Sequence, residues 1–169
     1  DGFASAESSA RAAAVTALGD GSRALPDKGA GKRVALALVK ALADPELEVG
    51  AAAVQELAYG RDVDATLAGL DAFLRDTARA LEKRLGATDK DGRDFVSRGT
   101  VLFENACFAL GNYRDERAAV PLLALLGGLR PDTKKSDFGS RLIGGLAVGA
   151  LELGSLAAVE AVVAQTDAF

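Results

Sequence analysis

Apolar residues recur along this chain at offsets of three, four, seven and eight, and the same set of offsets appears four times. The copies are Ala10, Ala13, Ala14, Ala17, Leu18; Val49, Ala52, Ala53, Glu56, Leu57; Leu102, Asn105, Ala106, Ala109, Leu110; and Ile143, Leu146, Ala147, Ala150, Leu151. On an α-helix those offsets form one stripe, and a small residue in mid-stripe lets a second helix come close. Each copy is followed by a turn and a second periodic stretch: Val34, Leu38, Leu42; Val63, Leu67, Leu70, Leu74; Val120, Leu123, Leu126; Leu156, Val159, Val163. The repeating element is therefore helix, turn, helix. The leucines that close the four copies, at 18, 57, 110 and 151, are 39, 53 and 41 residues apart. A polar stretch at 86–97 accounts for the long middle interval, and without it the period is near 41 residues. The pattern predicts four antiparallel helix pairs over about 5–43, 45–85, 98–129 and 138–166, with polar loops at 20–31, 86–97 and 130–140.

Helix-ending and helix-starting residues fit this division. Gly19 and Gly111 directly follow their leucines, where a left-handed residue commonly ends a helix. Asp44 before Pro45 reads as an N-cap with proline in the first turn. Asp115 can cap the helix that holds Pro121, which lies deep enough to mark a kink or a later start.

Composition narrows the function. The chain has 169 residues, 49% hydrophobic and 26% charged, which suits one domain. Its 35 Ala and 24 Leu favour helix. With no His and a single Cys, zinc sites of the Cys/His type, Ser-His-Asp or Cys-His catalysis and an internal disulfide are excluded. The net charge of −4 supplies no global field for nucleic acid or an anionic membrane. Residues 142–164 are apolar, but Glu152 and Glu160 would each cost about 3 kcal/mol at mid-bilayer, so a buried helix pair is expected and no membrane span. The opening DGFASAESSA has no signal-peptide pattern, and the compartment stays open.

Candidate chemistry is sparse. Asp89, Asp91 and Asp94 near Gly92 resemble a calcium loop in outline, yet the twelfth position is Thr100 where an acidic ligand is required, and a solvated loop with Phe95 as its anchor is expected. Arg130, Lys134, Lys135 and Arg141 gather in the later loop among Asp132 and Asp137, an ordinary surface imbalance. Arg75, Arg79, Lys83 and Arg84 alternate with Asp71, Asp76 and Glu82, as in i,i+4 pairing on a wet helix face. Gly29, Gly31 and Lys32 lack the full phosphate-loop spacing. Cys107 reads as a packing residue. Glu56 and Asn105 occupy columns that are otherwise small or apolar, and each is expected to make a structural hydrogen bond. No catalytic residue, cofactor site or metal site is predicted.

The strings ADPELEVGAAAVQELAYG, ALGNYRDERAAVPLLALL and ARAAAVTALGD resemble the HEAT-repeat family of bacterial helical repeats, from about residue 5 to 166. Gly50, Glu56 and Asn105 depart from that family's usual columns. The resemblance implies an all-α fold, an armadillo-type α-solenoid, and a non-catalytic scaffold that binds a protein or peptide through its second helices. Lys40, Arg75, Arg79 and Arg117 are the expected polar contacts. A chromophore lyase or chaperone-type subunit with HEAT-like repeats is the alternative, and a nucleic-acid binder stands behind both. From Leu156 to Ala164 the only charge is Glu160, so the last helix should be apolar on more than one side. Leu156, Val159, Val162 and Val163 are then expected to meet further repeats of a longer chain, a second copy or a partner.

Overall fold

The computed structural model describes residues 7–24, 28–60, 62–129 and 137–166. Among them the regular structure is all helical: α1 (Ser8–Ala24), α2 (Lys28–Ala41), α3 (Leu47–Leu57), α4 (Val63–Lys83), α5 (Lys90–Asn112), α6 (Ala119–Gly128), α7 (Asp137–Leu153) and α8 (Leu156–Thr166), with a 3-10 turn at Glu116–Ala118. None of these helices is long and apolar enough to cross a membrane. The chain divides into two compact units, Asp1–Phe73 and Leu74–Phe169, and the division falls within α4.

The helix starts are set by short acceptors. Asp62 takes the Ala65 N–H at 2.9 Å, Asp89 the Gly92 N–H at 2.7 Å and Ser155 the Ala158 N–H at 3.3 Å. Each satisfies a donor that the first turn cannot pair internally, worth about 1 kcal/mol. Asp115 takes the Arg117 N–H at 3.0 Å and caps the 3-10 turn, so α6 begins only at Ala119 and Pro121 lies in its first turn. Proline needs no partner for its nitrogen there, and the later start is what the sequence allowed. Gly86 and Gly154, with φ of +85° and +73°, make the turns after α4 and α7, a conformation that costs an L-residue a Cβ clash.

In the first unit α1 packs on α3, and α2 touches both. Val15, Ala35, Leu38, Val49, Ala53, Val54, Leu57 and Leu70 are buried there. Arg11 joins α1 to the turn before α3 by a two-pronged pair with Asp44, Nε to Oδ2 at 2.8 Å and a terminal nitrogen to Oδ1 at 3.1 Å. Asp44 also accepts the Glu46 N–H at 3.0 Å. The predicted cap is thereby corrected: α3 starts at Leu47 after Glu46, and Asp44 divides its carboxylate between Arg11 and the Glu46 N–H ahead of the helix.

In the second unit α5 packs along α7, while α6 and α8 pack on each other and on α7. Leu102, Phe103, Ala106, Leu110, Leu122, Leu142 and Leu146 form its core, each large side chain contributing about 1.5–3 kcal/mol by leaving water. Glycines make the α5–α7 contact close. A Cβ on Gly111 would lie 2.3 Å from the Gly149 carbonyl oxygen, and one on Gly149 would lie 2.6 Å from the Cys107 carbonyl oxygen.

Several expectations are corrected. Gly19 and Gly111 lie inside α1 and α5, not after them, because both are needed as packing surfaces. The stretch 20–31 is mostly helix, with Arg23 in the last turn of α1 and Lys32 within α2. The stretch 86–97 becomes helix from Lys90 onward, since Asp89 caps it. Helix α7 begins at Asp137, inside the expected loop 130–140, of which residues 130–136 lie outside the described residues. The stripes at Val49–Leu57 and Leu102–Leu110 face inward, apart from the exposed Asn105. In α1 the buried line runs instead through Val15 and Gly19; in α6 Leu126 is buried as expected but together with Leu122 and Leu125, leaving Val120 70% exposed; and in α7 Ile143, Leu146 and Ala150 are buried as expected while Leu151 is 63% exposed.

Candidate functional site

The four residues expected to contact a partner occupy different surroundings. Lys40 is exposed near the end of α2 in the first unit. Arg75 and Arg79 are exposed one turn apart on α4, on the same face because four residues separate them. Arg79 keeps a loose pair with Asp76 at 3.6 Å, at i,i+3 spacing where the alternating charges suggested i,i+4. Arg117 is engaged by its own loop: Nε and a terminal nitrogen reach the two Asp115 oxygens at 2.9 and 2.6 Å. That bond draws the Asp115 carboxyl down to about 2. Arg75 and Arg79 thus form one basic face, Arg117 serves its turn, and Lys40 belongs to the other compact unit.

The last helix divides similarly. Leu156 is 71% and Val163 50% exposed, Val159 is half-buried, and Val162 is 5% exposed and turned inward. Val162 is thus removed from the proposed outer face. Helix α8 makes just over three turns, and the side packed on α6 and α7 claims Ala158 and Val162.

Glu56 is held as a structural group. Its Oε2 accepts from Arg23 at 2.8 Å while its side chain is only 3% exposed, and Arg23 also pairs with Asp20 and lies 6.0 Å over the Tyr59 ring. Asn105 rotates outward to solvent. Cys107 is fully buried, and burial first, then the Glu104 charge, pushes its thiol well above the ordinary value, so it is a poor nucleophile. Asp89 spends its carboxylate on the helix cap, and among the described residues no group of three acidic or cysteine side chains could hold a metal ion.

One concavity in the second unit gathers charge that sequence order separates. A cavity of about 300 Å³ is lined by Arg84, Gly86 and Ala87 from the turn after α4, by Arg93, Val96, Ser97 and Thr100 of α5, and by Arg141 of α7. The left-handed Gly86 turns the chain so that α5 runs back beside Arg84. The Arg84 guanidinium lies 4.0 Å over the Phe95 ring, a cation–π contact. Arg93 donates to the Thr88 carbonyl, and Arg141 Nε sits 3.4 Å from Glu104 Oε1. Thr100 donates to the Val96 carbonyl at 2.6 Å, satisfying its hydroxyl within the helix. Phe95 anchors a segment, as expected, but a helical one and through Arg84. The sequence signal for this cavity was the basic residues themselves, scattered over three segments with no spacing rule to join them.

No protein-family model, no curated protein and no solved structure matches this chain.

Proposed function

We propose that the chain is a HEAT-like α-solenoid of helix pairs and acts as a non-catalytic scaffold that binds a protein or peptide through its second helices. The observation that carries this reading is a repeated contact. In the first unit the first helix of one pair, α1, packs on the first helix of the next, α3; in the second unit α5 packs on α7 in the same way. In both, the next helix fills the space beside the glycine that directly follows the repeat leucine, with the Glu56 side chain against Gly19 and with the Gly149 main chain against Gly111. Helix pairs that bury their faces against neighbours leave an extended surface suited to broad contacts. Exposed Arg75 and Arg79 on α4, a second helix, favour an acidic peptide.

Selection of peptides from a displayed library on the full chain tests the reading, with the affinity of the best binder measured by calorimetry. Enrichment of acidic sequences, with binding weakened about tenfold or more by R75E/R79E, supports it. Absence of enrichment, or an affinity unchanged by that double reversal, overturns it.

A further inference from the structure

The arginine-lined cavity of the second unit lies on the turn after α4 and on α5 and α7, the first helices of their pairs, and so is separate from the second-helix surface just proposed. We infer that it is a binding site for a small phosphate monoester, with the phosphate held by Arg84, Arg93 and Arg141 and the organic body resting on Ala87 and Val96.

The charge count points to a dianion. One guanidinium satisfies one carboxylate through a two-pronged bond, as Arg117 does for Asp115. Three guanidiniums around one cavity match a group with two charges and three terminal oxygens. Among the described residues the carboxylate paired with them is Glu104, with Arg141 and at 3.4 Å, too long for a tight hydrogen bond. Each guanidinium carries five N–H donors, and the described contacts use one on Arg93 and Nε on Arg141.

The arginines are also positioned in advance. Arg84 is stacked on Phe95, and Arg93 is drawn to the Thr88 carbonyl at the capped start of α5. A side chain already held near its bound position loses less freedom when a ligand arrives. The exposed hydroxyl of Ser97 adds a fourth donor on the same rim. The volume, about 300 Å³, suits a small molecule, at the lower end of ligand-pocket sizes.

The test is titration of the isotope-labelled full chain, followed by amide NMR, with phenyl phosphate, inorganic phosphate and benzenesulfonate at constant ionic strength. Saturable shifts centred on Gly86, Ala87, Val96 and Ser97 are expected, with phenyl phosphate tightest at a Kd of about 1 mM or below. Inorganic phosphate should follow, lacking the apolar body, and the singly charged sulfonate should come last. R84Q/R93Q/R141Q should weaken phenyl phosphate about tenfold or more while the amide spectrum elsewhere stays that of the folded chain. R93Q alone, which leaves both the Phe95 stack and the Glu104 pair, should weaken it several-fold and serves if the triple variant unfolds. Shifts spread evenly over the surface, equal affinity for sulfonate and phosphate, or binding unchanged by R93Q would overturn the site. Peptide binding through α4 is a separate readout, so loss of either result leaves the other standing.

Discussion

Gly19 and Glu56 fit as notch and peg. A Cβ on Gly19 would lie 2.1 Å from Glu56 Oε2 and 2.5 Å from its Cγ, so the absence of a side chain on α1 makes the space in which a buried carboxylate of α3 reaches Arg23. Because Cγ as well as the carboxylate fills the notch, the glutamate cannot swing aside without giving up its ion pair.

Gly19→Ala should therefore destabilise the chain by about 1–3 kcal/mol, the usual cost of forcing a group into a filled space. In a Glu56→Ala background the same substitution should instead stabilise by up to about 1 kcal/mol, since alanine is the better helix former once the space is empty. Urea unfolding of the two singles and the double measures the coupling; equal effects in both backgrounds would refute the notch.

The α5–α7 contact should be less forgiving, because its obstacles are backbone. Gly149→Ala would place a Cβ 2.6 Å from the Cys107 carbonyl oxygen, which has no rotamer to change, so a loss of about 2–3 kcal/mol or more is expected. Gly144, in the same helix, is the control, because a methyl group there would meet nothing within 4 Å. Gly144→Ala should gain about 0.5–1 kcal/mol. Thermal melts of the pair should move in opposite directions.

Two carboxylates predict the acid limb of stability. The Arg117 hydrogen bond lowers Asp115 from its ordinary 3.8 to about 2, and the Arg11 hydrogen bond lowers Asp44 below the same ordinary value. A carboxyl with a lower pKa when folded contributes stability that is fully present above the unfolded value and lost as pH falls through the folded one. The loss should thus run from about pH 4 to about pH 2. Asp115→Asn keeps a cap acceptor but removes the titration, so its melting temperature should fall less steeply over that range; a slope equal to that of the parent chain would contradict the assignment.

Cys107 should resist a thiol reagent at pH 8 until the chain is unfolded, since it is buried and its thiol is held protonated. Rapid labelling of the native chain, followed by absorbance, would show that α5 opens locally.

The helical character and the two middle stripes were legible because their large residues contrast with small or polar neighbours: Val49, Ala53 and Leu57 on α3, and Leu102, Ala106 and Leu110 on α5, are all buried. The α1 register was not, since the stripe of Ala10, Ala13, Ala14 and Ala17 is uniformly small, while the buried Val15 and Gly19 lie on another side of the helix. In α7 the inner face is partly glycine, Gly145 and Gly149 against α5, so hydrophobicity pointed to Leu151, which faces out. Helix α6 is apolar on nearly every side and offers no contrast to read. A partner for the buried Glu56 was foreseeable as a need but not as Arg23, 33 residues earlier. The arginine cavity was invisible for a related reason: Arg84, Arg93 and Arg141 come together through the Gly86 turn and the α5–α7 contact, both matters of tertiary placement.

Where Gly111 meets Gly149, main chain rests against main chain. Such a joint holds no flexible arms that could take up slack, so a pull or twist applied to α5 passes directly into α7. Bending of the second unit under load is then expected at the left-handed turns beside Gly86 and Gly154, with the pair α5 and α7 moving as a stiff bar.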